Sequence, residues 1–145
     1  MGVDAPDFGH VIAQYHRAAG EFVKGNPEPY KQLFSQRDDV TLANPFGPVR
    51  RGWAQVADTM ERAAALYREG VALRFENIAT WVTPELAYIV EVERFTAKVG
   101  GREDRTAVAL RTTSILRPED GVWRIVHRHA DAITSAQAAE SVFQT

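Results

Sequence analysis

The sequence predicts a single α+β domain in which helices come first and a long antiparallel β-meander follows. Two observations indicate this class. Apolar residues recur at three- and four-residue steps before Gly70, whereas they alternate with polar residues after it. Turn sequences rich in glycine also separate the later segments, as the loops of β-hairpins do. A meander of this kind has an apolar face, and we expect the helices to cover that face.

Three helices are predicted in the first half of the chain. The first carries an apolar stripe over residues 8–23, and the Gly-Asn-Pro sequence that follows it should end it. A short second helix presents apolar residues at 30–34. A short strand is predicted at 40–43, and residues 44–48 should be irregular because proline and glycine crowd them. The third helix is predicted to begin at Gly52 and to end at Gly70.

The second half of the chain is predicted to be a sheet. Its strands are expected over residues 73–81, 86–98, 106–117 and 122–133. The tail at 134–145 is expected to fray or to add a short helix. Because neither a linker nor a repeat interrupts the pattern, residues 1–145 should form one domain.

The composition excludes several classes of function. Hydrophobic residues make up 45% of the 145 residues and charged residues 25%, which is ordinary for a globular domain. The formal net charge of −2 gives no electrostatic reason to bind nucleic acid or an anionic membrane, so neither partner is expected. The chain has no cysteine, which excludes disulfides, thiolate metal sites and cysteine nucleophiles.

The expected location is the cytoplasm. Residues 1–10 contain two aspartates and have no positively charged region before an apolar stretch, unlike a signal peptide. No apolar segment approaches the roughly 20 residues that a membrane helix needs.

Two motifs carry a family resemblance. The segment Asp38–Gly47, followed by Gly52, resembles the segment of ketosteroid isomerases that enters the active site. The segment Gly121–His129 resembles the final strand of SnoaL-like polyketide cyclases and of the association domains of calmodulin-dependent kinases. The resemblance extends over residues 8–133 and implies the nuclear transport factor 2-like superfamily. Its fold is a cone-shaped, curved antiparallel sheet wrapped around N-terminal helices, also called a cystatin-like α+β barrel. Because this scaffold hosts isomerases, cyclases and dimerisation modules, the resemblance does not assign a function.

The catalytic residues of the isomerases are not matched. Asn44 takes the position of their aspartate base, and asparagine cannot accept that proton at neutral pH. Ala18 lies near the position of their tyrosine, with Tyr15 one turn away, and Thr112 to Ser114 lie near that of their second aspartate, where only hydroxyls are available. Ketosteroid isomerisation by the family's mechanism is therefore not expected.

Strand alternation predicts which side chains face the interior. If the more apolar face of each strand points inward, Glu91, Glu93, Arg111, Arg124 and Arg128 form a charged ladder on the outer face. In this fold the convex face commonly forms a dimer, so a homodimer through that face is expected. The predicted interior is a mostly apolar cavity for a small apolar molecule. Its expected ligand-binding residues are Tyr15, Asn44, Phe46, Trp53, Phe75, Trp81, Tyr88, Thr112 and Ser114.

Two histidines on the last strand are the candidate catalytic residues. His127 and His129 should share the inner face with Asp131, where imidazole could transfer a proton near neutral pH and Asp131 could orient His129. A structural role for both histidines is the competing interpretation. The His-x-His-x-Asp spacing also fits a metal site, but structural sites usually need four ligands, so neither a metal nor another cofactor is expected. The sequence thus favours a cofactor-independent isomerase, cyclase or hydratase acting on a small carbonyl or hydroxyl compound. A non-catalytic binding or dimerisation module is the alternative.

Overall fold

The computed structural model describes residues 5–144, with side chains from Phe8 onward. Residues 1–4 and 145, which the predicted single domain includes, lie outside the described residues. The helices are α1 (Ala5–Phe22), α2 (Glu28–Leu33) and α3 (Trp53–Ala64), and a 3-10 turn follows at Ala139–Val142. No helix in the described part of the chain is long and apolar enough to cross a membrane.

The strands form one six-stranded curved sheet, so the predicted α+β class is confirmed. They are β1 (Thr41–Ala43), β2 (Arg50–Arg51), β3 (Tyr67–Val82), β4 (Ala87–Val99), β5 (Thr106–Glu119) and β6 (Val122–Asp131). Their order in the sheet is β2-β1-β6-β5-β4-β3. The last four strands form the predicted meander, whereas β1 pairs with β6 in parallel.

The end of α3 differs from the prediction. The helix ends at Ala64, and Tyr67 already pairs with Val99 at the start of β3. The Tyr67 ring packs edge-on against Phe95, with ring centroids 5.4 Å apart. Tertiary packing therefore overrides a helical pattern that continues in the sequence.

Helix α1 lies across the inner face of the sheet and is close to β3. A methyl group at Gly70 would lie 2.1 Å from the carbonyl oxygen of Val23, so only glycine allows this approach of the two backbones. Phe8 and Tyr15 on α1 are fully buried. The helix therefore places Phe8 against Trp123 on β6 and brings Tyr15 to Glu93 on β4 and Ser114 on β5.

The predicted faces of β4 are reversed. Ile89, Glu91, Glu93 and Phe95 point inward and are buried, whereas Tyr88 and Val90 point outward. The prediction that Glu91 and Glu93 lie in a charged ladder on the outer face is therefore wrong. Every second residue from Ala87 to Ala97 faces the interior, and Ile89, Phe95 and Ala97 are the apolar residues that fix this alternation.

A β-bulge reverses the second half of β6. Ile115 pairs with His127 and Leu116 pairs with Ile125, so Val126 has no partner residue on β5. Trp123 and Ile125 point inward before the bulge. After it, Arg128 and Ala130 are buried, while His127 and His129 point outward. The predicted inner placement of both histidines, and the outer placement of Arg128, are therefore wrong.

Candidate functional site

A small cavity of about 50 Å3 lies between α1, α3 and the inner face of the sheet. Its walls are mostly apolar and rich in aromatic rings, like those of small-molecule sites, although its volume is smaller than is usual for them. Asn44 and Phe46 line it from the irregular loop after β1, and the Phe46 side chain is partly exposed. The aromatic residues of the lining are Phe22, Tyr30, Phe34, Phe46, Tyr67 and Phe95.

Two charged residues, Glu93 and Arg128, also line the cavity, and they form a buried bidentate ion pair. Arg128 Nη2 donates to Glu93 Oε1 at 2.9 Å, and Nη1 donates to Oε2 at 3.0 Å. The side chain of Arg128 is only 9% exposed and that of Glu93 only 6%. Both charges are therefore almost fully removed from water, which makes each dependent on the other.

Tyrosines surround this pair. The Tyr15 hydroxyl donates to Glu93 Oε2 at 3.1 Å, lies 2.9 Å from Ser114 Oγ, and accepts a hydrogen bond from Arg128. The guanidinium carbon of Arg128 lies 5.2 Å from the centre of the Tyr30 ring. The Tyr30 hydroxyl is buried and has no hydrogen-bond partner among the described residues.

Burial keeps these tyrosines neutral. It raises the pKa of Tyr15 to about 12, although the nearby Arg128 opposes the shift. Burial likewise raises the pKa of Tyr30 well above its ordinary value and that of Tyr67 to about 12. At neutral pH the Tyr30 hydroxyl is therefore a protonated donor. The Tyr15 hydroxyl is near enough to affect its pKa, but no acceptor among the described residues meets the distance and angle of a hydrogen bond.

A second polar cluster lies where α1 meets β3. His16 Nε2 is 2.9 Å and 3.0 Å from the two carboxylate oxygens of buried Glu91. The imidazole stacks on Phe75 with ring centroids 3.9 Å apart, and Thr112 donates to the backbone carbonyl of Glu91. None of these four residues lines the main cavity.

The three predicted catalytic residues lie on the outer face, away from the cavity. His127 Nδ1 is 2.7 Å from Thr41 Oγ1, and burial lowers the pKa of His127, with a further contribution from His129. His129 Nε2 lies 3.0 Å from Asp131 Oδ2, as expected for an orienting contact. Because neither ring reaches the interior, neither histidine is placed to transfer a proton to a ligand in the cavity.

The predicted ligand-binding residues divide into three groups. Asn44 and Phe46 line the cavity, and their role as ligand contacts stays a prediction. Trp81 and Tyr88 lie on the outer face, so their predicted inward position is wrong. The other five residues point toward the interior without lining the cavity, since they pack in the core or belong to the polar clusters: Tyr15, Trp53, Phe75, Thr112 and Ser114.

Sequence reasoning missed the central ion pair because it excluded charge from the interior. The signal was present in β4, where Ala87, Ile89, Phe95 and Ala97 share one parity with both glutamates. The bulge that turns Arg128 inward has no comparable signal, since no glycine or proline marks it. Within residues 5–144, no group of three or more histidine, aspartate or glutamate side chains could hold a metal ion.

Comparisons with solved structures identify the same scaffold. A nuclear transport factor 2-like superfamily protein from Salmonella enterica serovar Typhimurium superposes with a TM-score of 0.77 at 19% identity, over 94% of this chain and 99% of that one. A proposed dehydratase of the nuclear transport factor 2-like family from Streptomyces avermitilis gives 0.69 at 18% identity, over 90% and 100%. A ketosteroid isomerase-like protein from Erwinia carotovora atroseptica gives 0.69 at 15% identity, over 85% and 93%.

These superpositions establish the fold, and the low sequence identities leave the function open. No curated protein matches the sequence. The family model of the SnoaL-like domain matches residues 9–134, which covers the three helices and all six strands almost completely. The chain therefore belongs to the SnoaL-like domain family.

Proposed function

We propose that this protein binds a small, mostly apolar molecule in the cavity and acts on its carbonyl or hydroxyl group as a cofactor-independent isomerase, cyclase or hydratase. The observation that carries the proposal is the buried Tyr30 hydroxyl, which makes no hydrogen bond to the described residues, in a mostly apolar cavity that Glu93 and Arg128 also line. Buried donors without a partner are rare in folded proteins, and a ligand oxygen would supply the missing acceptor.

The cavity residues divide the chemical work between a donor and an acceptor. Tyr30 donates a hydrogen bond to the ligand oxygen and so stabilises negative charge that develops there. Glu93 is the one carboxylate in the described cavity lining, and it accepts a proton from one ligand atom and returns it to another. Moving a proton in this way needs no cofactor. A proposed dehydratase and a ketosteroid isomerase-like protein share the scaffold, which supports the reaction class only.

The test compares two tyrosines that line the same cavity. Wild type, Tyr30→Phe and Tyr67→Phe are incubated with small enones, epoxides and hydroxy ketones, and conversion is followed by NMR. We expect Tyr30→Phe to lower turnover at least about tenfold with little change in ligand affinity, because one transition-state hydrogen bond is lost. Tyr67→Phe should retain most of the activity. Equal activity of all three proteins would exclude the role given to Tyr30.

The alternative is a binding module without turnover, and one observation favours it. Glu93 already accepts hydrogen bonds from Arg128 and Tyr15, which weakens it as a base. Asn44 also stands where the isomerases have their base. A ligand that binds in the cavity and is recovered unchanged from the whole panel would support this module over the enzyme.

We also propose a homodimer through the outer face of the sheet. The support is an exposed aromatic pair, and not the charged ladder predicted from the sequence. Trp81 and Tyr88 lie side by side there, with ring centroids 5.9 Å apart, and Trp81 is 54% exposed. An exposed aromatic patch often marks a contact surface. Light scattering should give twice the monomer mass, and Trp81→Glu should halve it. The cytoplasmic location stays a prediction.

A further inference from the structure

We propose that Arg128 is an internal carboxylate-binding site that Glu93 already fills, so that Glu93 restricts the cavity to neutral ligands. This inference rests on the proposed ligand binding in the cavity. It assigns Glu93 as a specificity-determining residue and names the ligand class as small, uncharged alcohols or ketones. Ligands that carry a carboxylate or a phosphate are excluded.

The geometry of the pair carries the inference. The two terminal nitrogens of Arg128 face the two oxygens of Glu93 at 2.9 Å and 3.0 Å, which is the fork that guanidinium offers to any carboxylate. The remaining short contact of Nη1 is to Tyr15. The Nη1–Nη2 edge of Arg128 is therefore already occupied by side chains of the protein itself.

The charge balance of the cavity leads to the same ligand class. Arg128 and Glu93 are the charged residues in its described lining, and they cancel. A second carboxylate would enter next to Glu93 without a free cation, and a buried, unpaired charge is strongly unfavourable. A neutral oxygen meets no such penalty, since Tyr30 offers it a donor. The volume of about 50 Å3 limits the ligand to a few non-hydrogen atoms, since a cavity of about 150 Å3 is the size that holds benzene.

The decisive experiment replaces the side chain of Glu93 with a free ion. Glu93→Ala removes one methylene and the carboxylate, and acetate contains matching atoms. We expect acetate at tens of millimolar to raise the melting temperature of Glu93→Ala by several degrees and to leave wild type unchanged. Acetamide has the same shape without the charge, and chloride matches the ionic strength, so neither should stabilise the variant.

A second variant shows whether the effect depends on Arg128. In Glu93→Ala/Arg128→Met, the shift caused by acetate should vanish, because the cation that holds it is absent. An equal shift in this double variant, or no shift in Glu93→Ala, would overturn the proposal. If Glu93→Ala folds only when it is refolded with acetate and not with acetamide, that requirement also supports carboxylate binding by Arg128.

A panel on wild type decides the question without any variant. Acetone and acetate form one matched pair, and butanone and propionate form another, with binding measured by NMR titration. We expect each neutral compound to bind at least about tenfold more tightly than its anion. Anions that bind equally well would refute the selectivity while leaving ligand binding intact. If acetate stabilises Glu93→Ala but wild type binds no compound, the proposed function fails and the assignment of Arg128 stands.

Discussion

Two arginine–carboxylate pairs on opposite faces of the same sheet are both bidentate, the inner one through Nη1 and Nη2 and the outer one through Nε and Nη2. Inside, Arg128 contacts Glu93 at 2.9 Å and 3.0 Å. Outside, Arg111 contacts Asp131 at 2.6 Å and 3.0 Å, again with two nitrogens on two oxygens. The arginine side chain is 9% exposed in the first pair and 55% exposed in the second.

The surroundings of the pairs, rather than their distances, determine what each does. In the interior, water cannot take the place of either residue as the partner of the other, so the two residues depend on each other. Both also form part of the cavity wall. At the surface water competes for both partners, and such pairs typically contribute little to stability. The comparison therefore predicts large effects from one pair and small effects from the other.

The largest effect is expected from Glu93→Gln, which leaves Arg128 buried without a counter-charge. Removing one partner of a buried pair typically costs about 3–5 kcal/mol in the free energy of unfolding. Urea denaturation monitored by tryptophan fluorescence measures this loss. A loss below about 1 kcal/mol would mean that water reaches Arg128, contrary to its 9% exposure.

The next effect concerns the tyrosines around the buried pair and appears at high pH. Burial raises the pKa of Tyr15 to about 12, whereas the unfolded chain releases that proton near the ordinary value of 10. The stabilisation is thus fully present below pH 10 and is lost as the pH rises to about 12. Two pKa units correspond to about 2–3 kcal/mol.

Denaturation between pH 9 and pH 12 measures this effect, and Tyr15→Phe is the control. The variant should lose stability less steeply with pH than wild type, because one proton fewer is released on unfolding. Tyr67, whose pKa burial also raises to about 12, should leave a residual slope. Identical slopes in the two proteins would show that Tyr15 ionises freely in the folded state.

A smaller change is expected when both charges of the inner pair are removed. Glu93→Leu/Arg128→Met keeps similar volumes in the cavity wall, and such replacements are often neutral or stabilising. The double variant should therefore regain most of the stability that Glu93→Leu alone loses. A double-mutant cycle gives the interaction energy directly. If the two losses simply add, the residues do not depend on each other.

The sequence predicted the order of helices and strands because those elements follow from local periodicity. Tyr67 was assigned to the wrong element because its ring packs against Phe95, a contact distant in sequence. The faces of β4 could have been predicted from the full strand, since Phe95 and Ala97 lie on the same face as Ile89 and are also apolar.

The positions of His127 and Arg128 could not be predicted from the pattern alone. Their faces depend on the unpaired Val126, and the register of β6 against β5 creates that bulge. A shift of one residue exchanges the two faces of a strand, so one bulge moved both histidines out of the cavity and moved the arginine in. A candidate site located on a long strand therefore requires the register as well as the alternation.

The smallest effect is expected from Asp131→Asn on the outer face. Its partner Arg111 holds the pKa of Asp131 at about 2, but that arginine is 55% exposed, so solvent screening reduces the energetic value of the pair. We expect a loss of about 0.2–1 kcal/mol, which should shrink further in 1 M salt. The contribution of the carboxylate is present above its ordinary pKa and is lost as the pH falls toward 2. A loss as large as that of Glu93→Gln would show that Asp131 is not exposed in solution, which would itself indicate that a second copy covers this face.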